Sequence, residues 1–120
     1  MATQDTCCTL VPYFKVQEGK LDDFKTLCVQ FVETTKTEEK CLHYGFSFDG
    51  DIAHCREGYK DADGILAHLE NVGALLEQAL KISEIIRLEI HAPEEELTKL
   101  RDPLAGLNPQ FYQLEYGFRR

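Results

Sequence analysis

Residues 41–69, CLHYGFSFDGDIAHCREGYKDADGILAHL, constrain the fold of this 120-residue chain more than any other stretch. Asp49-Gly50 puts a glycine, which takes positive φ at no steric cost, between two runs of strand-forming residues. Asp61 or Asp63 then stands where a helix needs an N-cap oxygen. The stretch therefore predicts two strands, a tight turn and a helix. With a strand and a helix before it and a strand after it, the order is βαββαβ.

The first strand is expected over about residues 6–16, with Pro12 at a bulge or strand end because it has no N–H to give a ladder. From Leu21 the apolar positions Phe24, Leu27, Cys28, Phe31, Val32 and Thr35 follow helical spacing, with Asp22 and Asp23 at the positive end. Strands two and three, about 40–48 and 52–60, pair around a two-residue Asp49-Gly50 loop, which sets Tyr44 opposite Cys55. One face then carries Leu42, Tyr44, Phe46, Ala53, Cys55, Glu57 and Tyr59. The other carries Cys41, His43, Gly45, Ser47, Ile52, His54 and Arg56.

The second helix covers about 61–80, with Ile65, Leu66, Leu69, Val72, Leu76 and Leu80 on one side and a weak point at Asn71-Val72-Gly73. Strand four, SEIIRLEIHA, alternates Ile86, Leu88 and Ile90 against Arg87, Glu89 and His91. Pro93 suits the first position of a short helix whose acidic run, Glu94 to Glu96, reads as a solvated start. A last strand is expected over about 111–118.

Residues 1–120 read as one domain of α+β class, a ferredoxin-like βαββαβ unit with an added helix and strand. Two helices cover one face of the sheet. The other face needs cover, and a second copy of the chain is the simplest source, giving a homodimer. The added strand could reach across to that neighbour.

A balance of 13 basic against 21 acidic residues, net −8, opposes binding to nucleic acid or anionic lipid. No apolar run reaches the roughly 20 residues of a membrane span. The start, MATQDTCCTL, lacks a basic region followed by an apolar one, so a cytoplasmic location is expected. Five cysteines without a C-x-x-C spacing read as reduced, mostly buried thiols.

Three pieces, VQEGKLDDF (16–24), CLHYGF (41–46) and REGYKDADGILAHL (56–69), give the chain a specific likeness. It resembles the antibiotic-biosynthesis-monooxygenase-like family of dimeric α+β-barrel proteins. That family includes cofactor-independent oxygenases of phenols or quinols, haem-degrading enzymes and members of no known activity. The resemblance implies a homodimer and an apolar pocket with no metal, flavin or other cofactor. Tyr59 stands where the family often has Trp. The haem-branch positions fall near His68 and around Glu77 or Gln78, residue types that do not fit haem degradation.

Two groups of residues could carry chemistry. Tyr44, Cys55, Glu57 and Tyr59 share the helix-side face, and His68 follows Ile65 by three residues and precedes Val72 by four, which turns it inward. His68 could take the proton of a phenol or hold its oxyanion, Glu57 could orient the imidazole, and Tyr44, Cys55 and Tyr59 could contact a small aromatic ligand. The alternative is a satisfied core histidine among packing tyrosines. His43, His54, Arg56, Arg87, Glu89 and His91 form the second group. They lack compact metal-ligand spacing, and the arginines would repel a cation, so a hydrogen-bond network fits them better than a metal. Two functions remain open: a cofactor-independent monooxygenase-like enzyme acting on an aromatic or quinol-type molecule, and a non-catalytic homodimer that binds a small ligand or regulates.

Overall fold

A computed structural model describes residues 3–120. The first two residues of the start, read above for a leader, lie outside the described residues. The elements run β1 (Cys8–Val16), α1 (Leu21–Thr35), β2 (Cys41–Asp49), β3 (Ile52–Tyr59), α2 (Ala62–Asn71), α3 (Gly73–Leu80), β4 (Ser83–Ala92), α4 (Glu94–Leu100) and β5 (Gln110–Gln113), with a 3-10 turn at Ala105–Leu107. The strand order is β2-β3-β1-β4-β5. The first four strands pair antiparallel in the ferredoxin-like arrangement, and β5 adds in parallel to β4. The sheet is open, with β2 and β5 as edges, so one chain does not close the expected barrel. β5 pairs with β4 of its own chain and is shorter than expected. Residues 114–120 run on beside the N-terminal segment, where Thr3 N donates to Glu115 O at 2.7 Å.

Local chemistry corrects several expected positions. The hairpin loop is Gly50-Asp51 rather than Asp49-Gly50, with Asp49 opposite Ile52 and Tyr44 opposite Glu57. Gly50 takes φ +59, the sign that the first position of such a turn requires. The partner shifts by two residues, so the two faces survive along most of the hairpin. Near its start, the register shifts between Cys41 and His43. This bulge packs Cys41 against the helix-side core and leaves Leu42 exposed, the reverse of the expected alternation.

A second register shift sits beside Pro12, between Tyr13 and Phe14 on β1, where β4 contributes an extra residue, Ile86. Ile85 turns to the core and Ile86 is left 50% exposed, so Ile86 does not alternate with Leu88 and Ile90 as expected. Pro12 lies within a central strand, and His54 Nδ1 meets its carbonyl oxygen at 2.9 Å. The second helix divides at Val72 into α2 and α3, which leaves Leu80 exposed. Pro93 precedes α4 at the N-cap instead of entering its first turn. Glu96 is buried, not solvated: its Oε1 accepts from Ala62 N at 2.9 Å and so satisfies a free donor of α2.

Two apolar clusters fill the space between sheet and helices. One gathers Phe14, Val16, Phe24, Phe31 and Ala53 under α1. The other gathers Leu10, Tyr59, Ile65, Ile90 and Leu97 under α2 and α4. At the seam between them the packing is incomplete.

Candidate active site

The seam holds a cavity of about 40 Å³. Its wall is apolar apart from Tyr44, Cys55, Glu57 and His68. Alternation on β3 aims Cys55 and Glu57 at the helices, and α2 presents His68 from above. His68 and Glu57 are 2% and 4% exposed.

Four side chains form a buried line. Glu38 lies 2.9 Å (Oε2) and 3.1 Å (Oε1) from His68 Nδ1. A carboxylate accepts there, so Nδ1 carries the proton and the lone pair is left on Nε2. His68 Nε2 stands 3.4 Å from Glu57 Oε1, which accepts the Tyr59 hydroxyl at 2.6 Å. Asn71 steadies the far end, its Nδ2 donating to Glu38 Oε2 at 2.9 Å and to Thr34 O at 3.2 Å. The imidazole is also held between rings, 5.2 Å from Tyr44 and 5.3 Å from Tyr59 between centroids.

Burial sets the charges. Desolvation pushes Glu57 up to about 8, against the opposing hydrogen bond from Tyr59, so Glu57 is a carboxylic acid at neutral pH. Desolvation also lowers His68, against the opposing pull of Glu38, and favours a neutral ring. Burial raises the Cys55 thiol and the Tyr44 hydroxyl well above their ordinary values. Burial therefore works against charge on both groups, which face each other across 3.4 Å in apolar surroundings.

Four of the five residues singled out from sequence line the cavity. Tyr59 stands behind Glu57, fully buried and outside the wall. Glu57 meets Nε2 of the imidazole, and the residue that orients the ring through Nδ1 is Glu38. Neither Glu38 nor Asn71 is visible by pattern. Glu38 lies in the polar connection after α1, where no periodicity marks a residue as inward. The second group spreads over the open face: Arg87 and His91 both pair with Glu89, His54 binds Pro12, and His43 lies over Gly58. Among the described residues, no three His, Cys, Asp or Glu side chains cluster as a metal site. No described helix is long and apolar enough to cross a membrane.

No protein-family profile and no curated protein matches the chain. Among solved structures, MupZ from Pseudomonas fluorescens is 47% identical, with 100% of this chain and 94% of that one covered at a TM-score of 0.95. A Caulobacter crescentus CB15 protein, provisionally named an antibiotic biosynthesis monooxygenase, is 18% identical, with 72% and 88% covered and a TM-score of 0.65. A Nitrosomonas europaea protein with the same provisional name is 15% identical, with 78% and 96% covered at 0.68. The chain is a relative of MupZ and shares the antibiotic-biosynthesis-monooxygenase-like fold. The two more distant likenesses speak for the fold alone. Within the antibiotic-biosynthesis-monooxygenase-like fold, the cavity occupies the space between sheet and helices, and β5 extends the sheet beyond the βαββαβ unit, with residues 114–120 following it.

Proposed function

We propose that the chain is a small-molecule enzyme whose acid–base pair is His68 and Glu57. The observation that carries this is the fixed imidazole: Glu38 holds Nδ1–H, and the free Nε2 faces a protonated Glu57 inside an apolar cavity. In its most specific form the reaction is a cofactor-independent monooxygenation of a phenol or quinol. Nε2 takes the hydroxyl proton, Glu57 donates a hydrogen bond to the resulting oxyanion, and molecular oxygen oxidises the electron-rich anion to a quinone: one oxygen atom stays on the ring, the other leaves as water, and the substrate supplies all four electrons. Tyr44 and Cys55 would contact the ring, while Tyr59 acts through Glu57. The working unit is a cytoplasmic homodimer in which a second sheet covers the open face.

The mechanism requires His68 neutral and Glu57 protonated. Activity should follow a bell, falling above about pH 8 as Glu57 ionises and falling again once His68 is protonated below its ordinary 6.5. A panel of phenols and quinols, scored by oxygen uptake and thermal shift, tests the reading. Turnover that consumes no oxygen would keep the acid–base pair and remove the oxygen chemistry. Light scattering should give twice the 13.7 kDa chain mass, and a monomer would remove the homodimer.

One observation favours a second reading, a non-catalytic dimer in which His68 is a satisfied core histidine. A volume of about 40 Å³ suits a water molecule, well short of the roughly 150 Å³ that admits benzene. Under this reading no compound in the panel turns over, and His68→Ala chiefly destabilises the fold.

A further inference from the structure

The cavity around Glu57 and His68 is too small for an organic substrate, so a wall has to move before any ring can enter. Only one part of the wall is built to do so. Except for Val72 and Leu107, every lining residue belongs to a strand or helix. Val72 is buried and bonded into both flanking helices, Val72 N to His68 O at 2.9 Å and Leu76 N to Val72 O at 2.8 Å. Leu107 differs on each count. At 37% exposed it is the most exposed of the lining residues, and it sits on the short 3-10 turn after α4.

The segment carrying Leu107 is anchored only at its ends. Leu104 is buried in the core, and Gln110 pairs with Glu89. Between them, residues 105–109 are held by local backbone bonds: Ala105 N to Asp102 O, Leu107 N to Leu104 O and Asn108 N to Ala105 O. Among the described residues, no side-chain hydrogen bond or ion pair ties 105–109 to the rest of the molecule. Asn108 adopts φ +51, a left-handed conformation uncommon for a residue with a side chain. The half-buried Tyr44, Phe46, Leu69, Leu76 and Ile85 make up the rest of the outer wall.

Building on the acid–base reading of this cavity, we propose that residues 105–109 form a flap over it, with Leu107 as the plug that decides how large an apolar substrate reaches Glu57 and His68. Swinging Leu107 outward joins the cavity to solvent through an apolar mouth. That route admits apolar molecules and leaves the core clusters intact.

Cys55 reports on the flap without any substrate. It lines the cavity and is 1% exposed, while Cys8 and Cys28 are buried elsewhere. Iodoacetamide labelling of the intact protein, followed peptide by peptide, compares the three thiols. Leu107→Ala should speed labelling of Cys55 by about tenfold while Cys8 and Cys28 keep their rates, as expected for a local opening. Leu107→Phe should slow Cys55 below wild type. A parallel rise at all three cysteines in the alanine variant, an unchanged Cys55 rate, or a phenylalanine variant that labels like wild type would overturn the flap. Cys55 rates that follow residue 107 while His68→Ala leaves turnover and ligand binding unchanged would sink the acid–base pair and spare the flap. The converse pattern would do the reverse.

Discussion

On the helix-covered face of the sheet Glu57 meets His68; on the open face, two strands away, Glu89 meets His91. The residue types are the same and the electrostatics are opposite. Burial raises Glu57 to about 8, whereas hydrogen bonds from His91 and then Arg87 hold Glu89 below its ordinary 4.5. Desolvation lowers His68 against the pull of Glu38, and Arg87 beside Glu89 is raised. A carboxylate that two donors reach at the surface stays an ion; one enclosed beside a neutral imidazole keeps its proton. The second arrangement can take part in proton transfer at neutral pH, and the first is suited to holding strands and partners together.

The largest expected effect lies with the histidines. His68→Ala should reduce turnover or ligand binding by about 10²-fold, the scale of a single acid–base group, while His91→Ala should change either by less than about twofold. Similar losses in the two variants, measured on the same panel, would erase the functional contrast between the faces.

Stability against pH separates the glutamates next. Glu57 has a raised folded value, so its contribution to stability is fully present below 4.5 and is lost as pH rises through about 8. Glu89 has a lowered folded value, so its contribution is present above 4.5 and is lost as pH falls through the folded value. His68 is also lowered, and its contribution is lost as pH falls below 6.5. Denaturant unfolding at pH 8 should show Glu57→Gln more stable than wild type by on the order of 1–3 kcal/mol, with a flatter profile between pH 5 and 8. Glu89→Gln should lose its deficit only toward acid pH. A Glu57→Gln profile that parallels wild type would mean Glu57 is ionised in the fold.

Two smaller effects sharpen the contrast in packing. A Cβ on Gly58 would overlap the His43 imidazole on the open face. Gly58→Ala should therefore cost about 1–2 kcal/mol and be relieved in the Gly58→Ala/His43→Ala double variant, as measured by a double-mutant cycle. On the helix side, at the exposed end of the line, Asn71→Ala removes a donor to Glu38 and should cost about 0.5–1 kcal/mol in thermal unfolding. A larger loss for Asn71 than for Gly58 would place the tighter constraint beneath the helices.

Much of this is legible in the residues alone, and the remainder is hidden for identifiable reasons. Helical spacing turns His68 inward with Ile65 and Val72, and strand alternation puts Glu57 and Tyr59 on one face, because both patterns are periodic. The bulges at Cys41–His43 and at Ile86 are insertions of one residue, and alternation carries no mark of where a ladder slips. Glu38 and Leu107 come from connecting segments and join the cavity only when distant elements close around it. The buried role of Glu96 is of the same kind, since an acidic residue near a helix start looks solvated until another helix brings an unsatisfied N–H to it.

The place of β1 has a consequence for how the molecule assembles. It is the first strand in the sequence and the middle strand of the sheet, with Cys8 paired to Tyr59 and Thr9 to His91. No nascent chain can complete it until β4 has emerged, and pairings this distant along the chain make folding slow. Leu10 and Pro12 of β1 line the cavity beside Glu57 and His68. Glu57 and His68 are therefore among the last parts of the protein to be shielded from water.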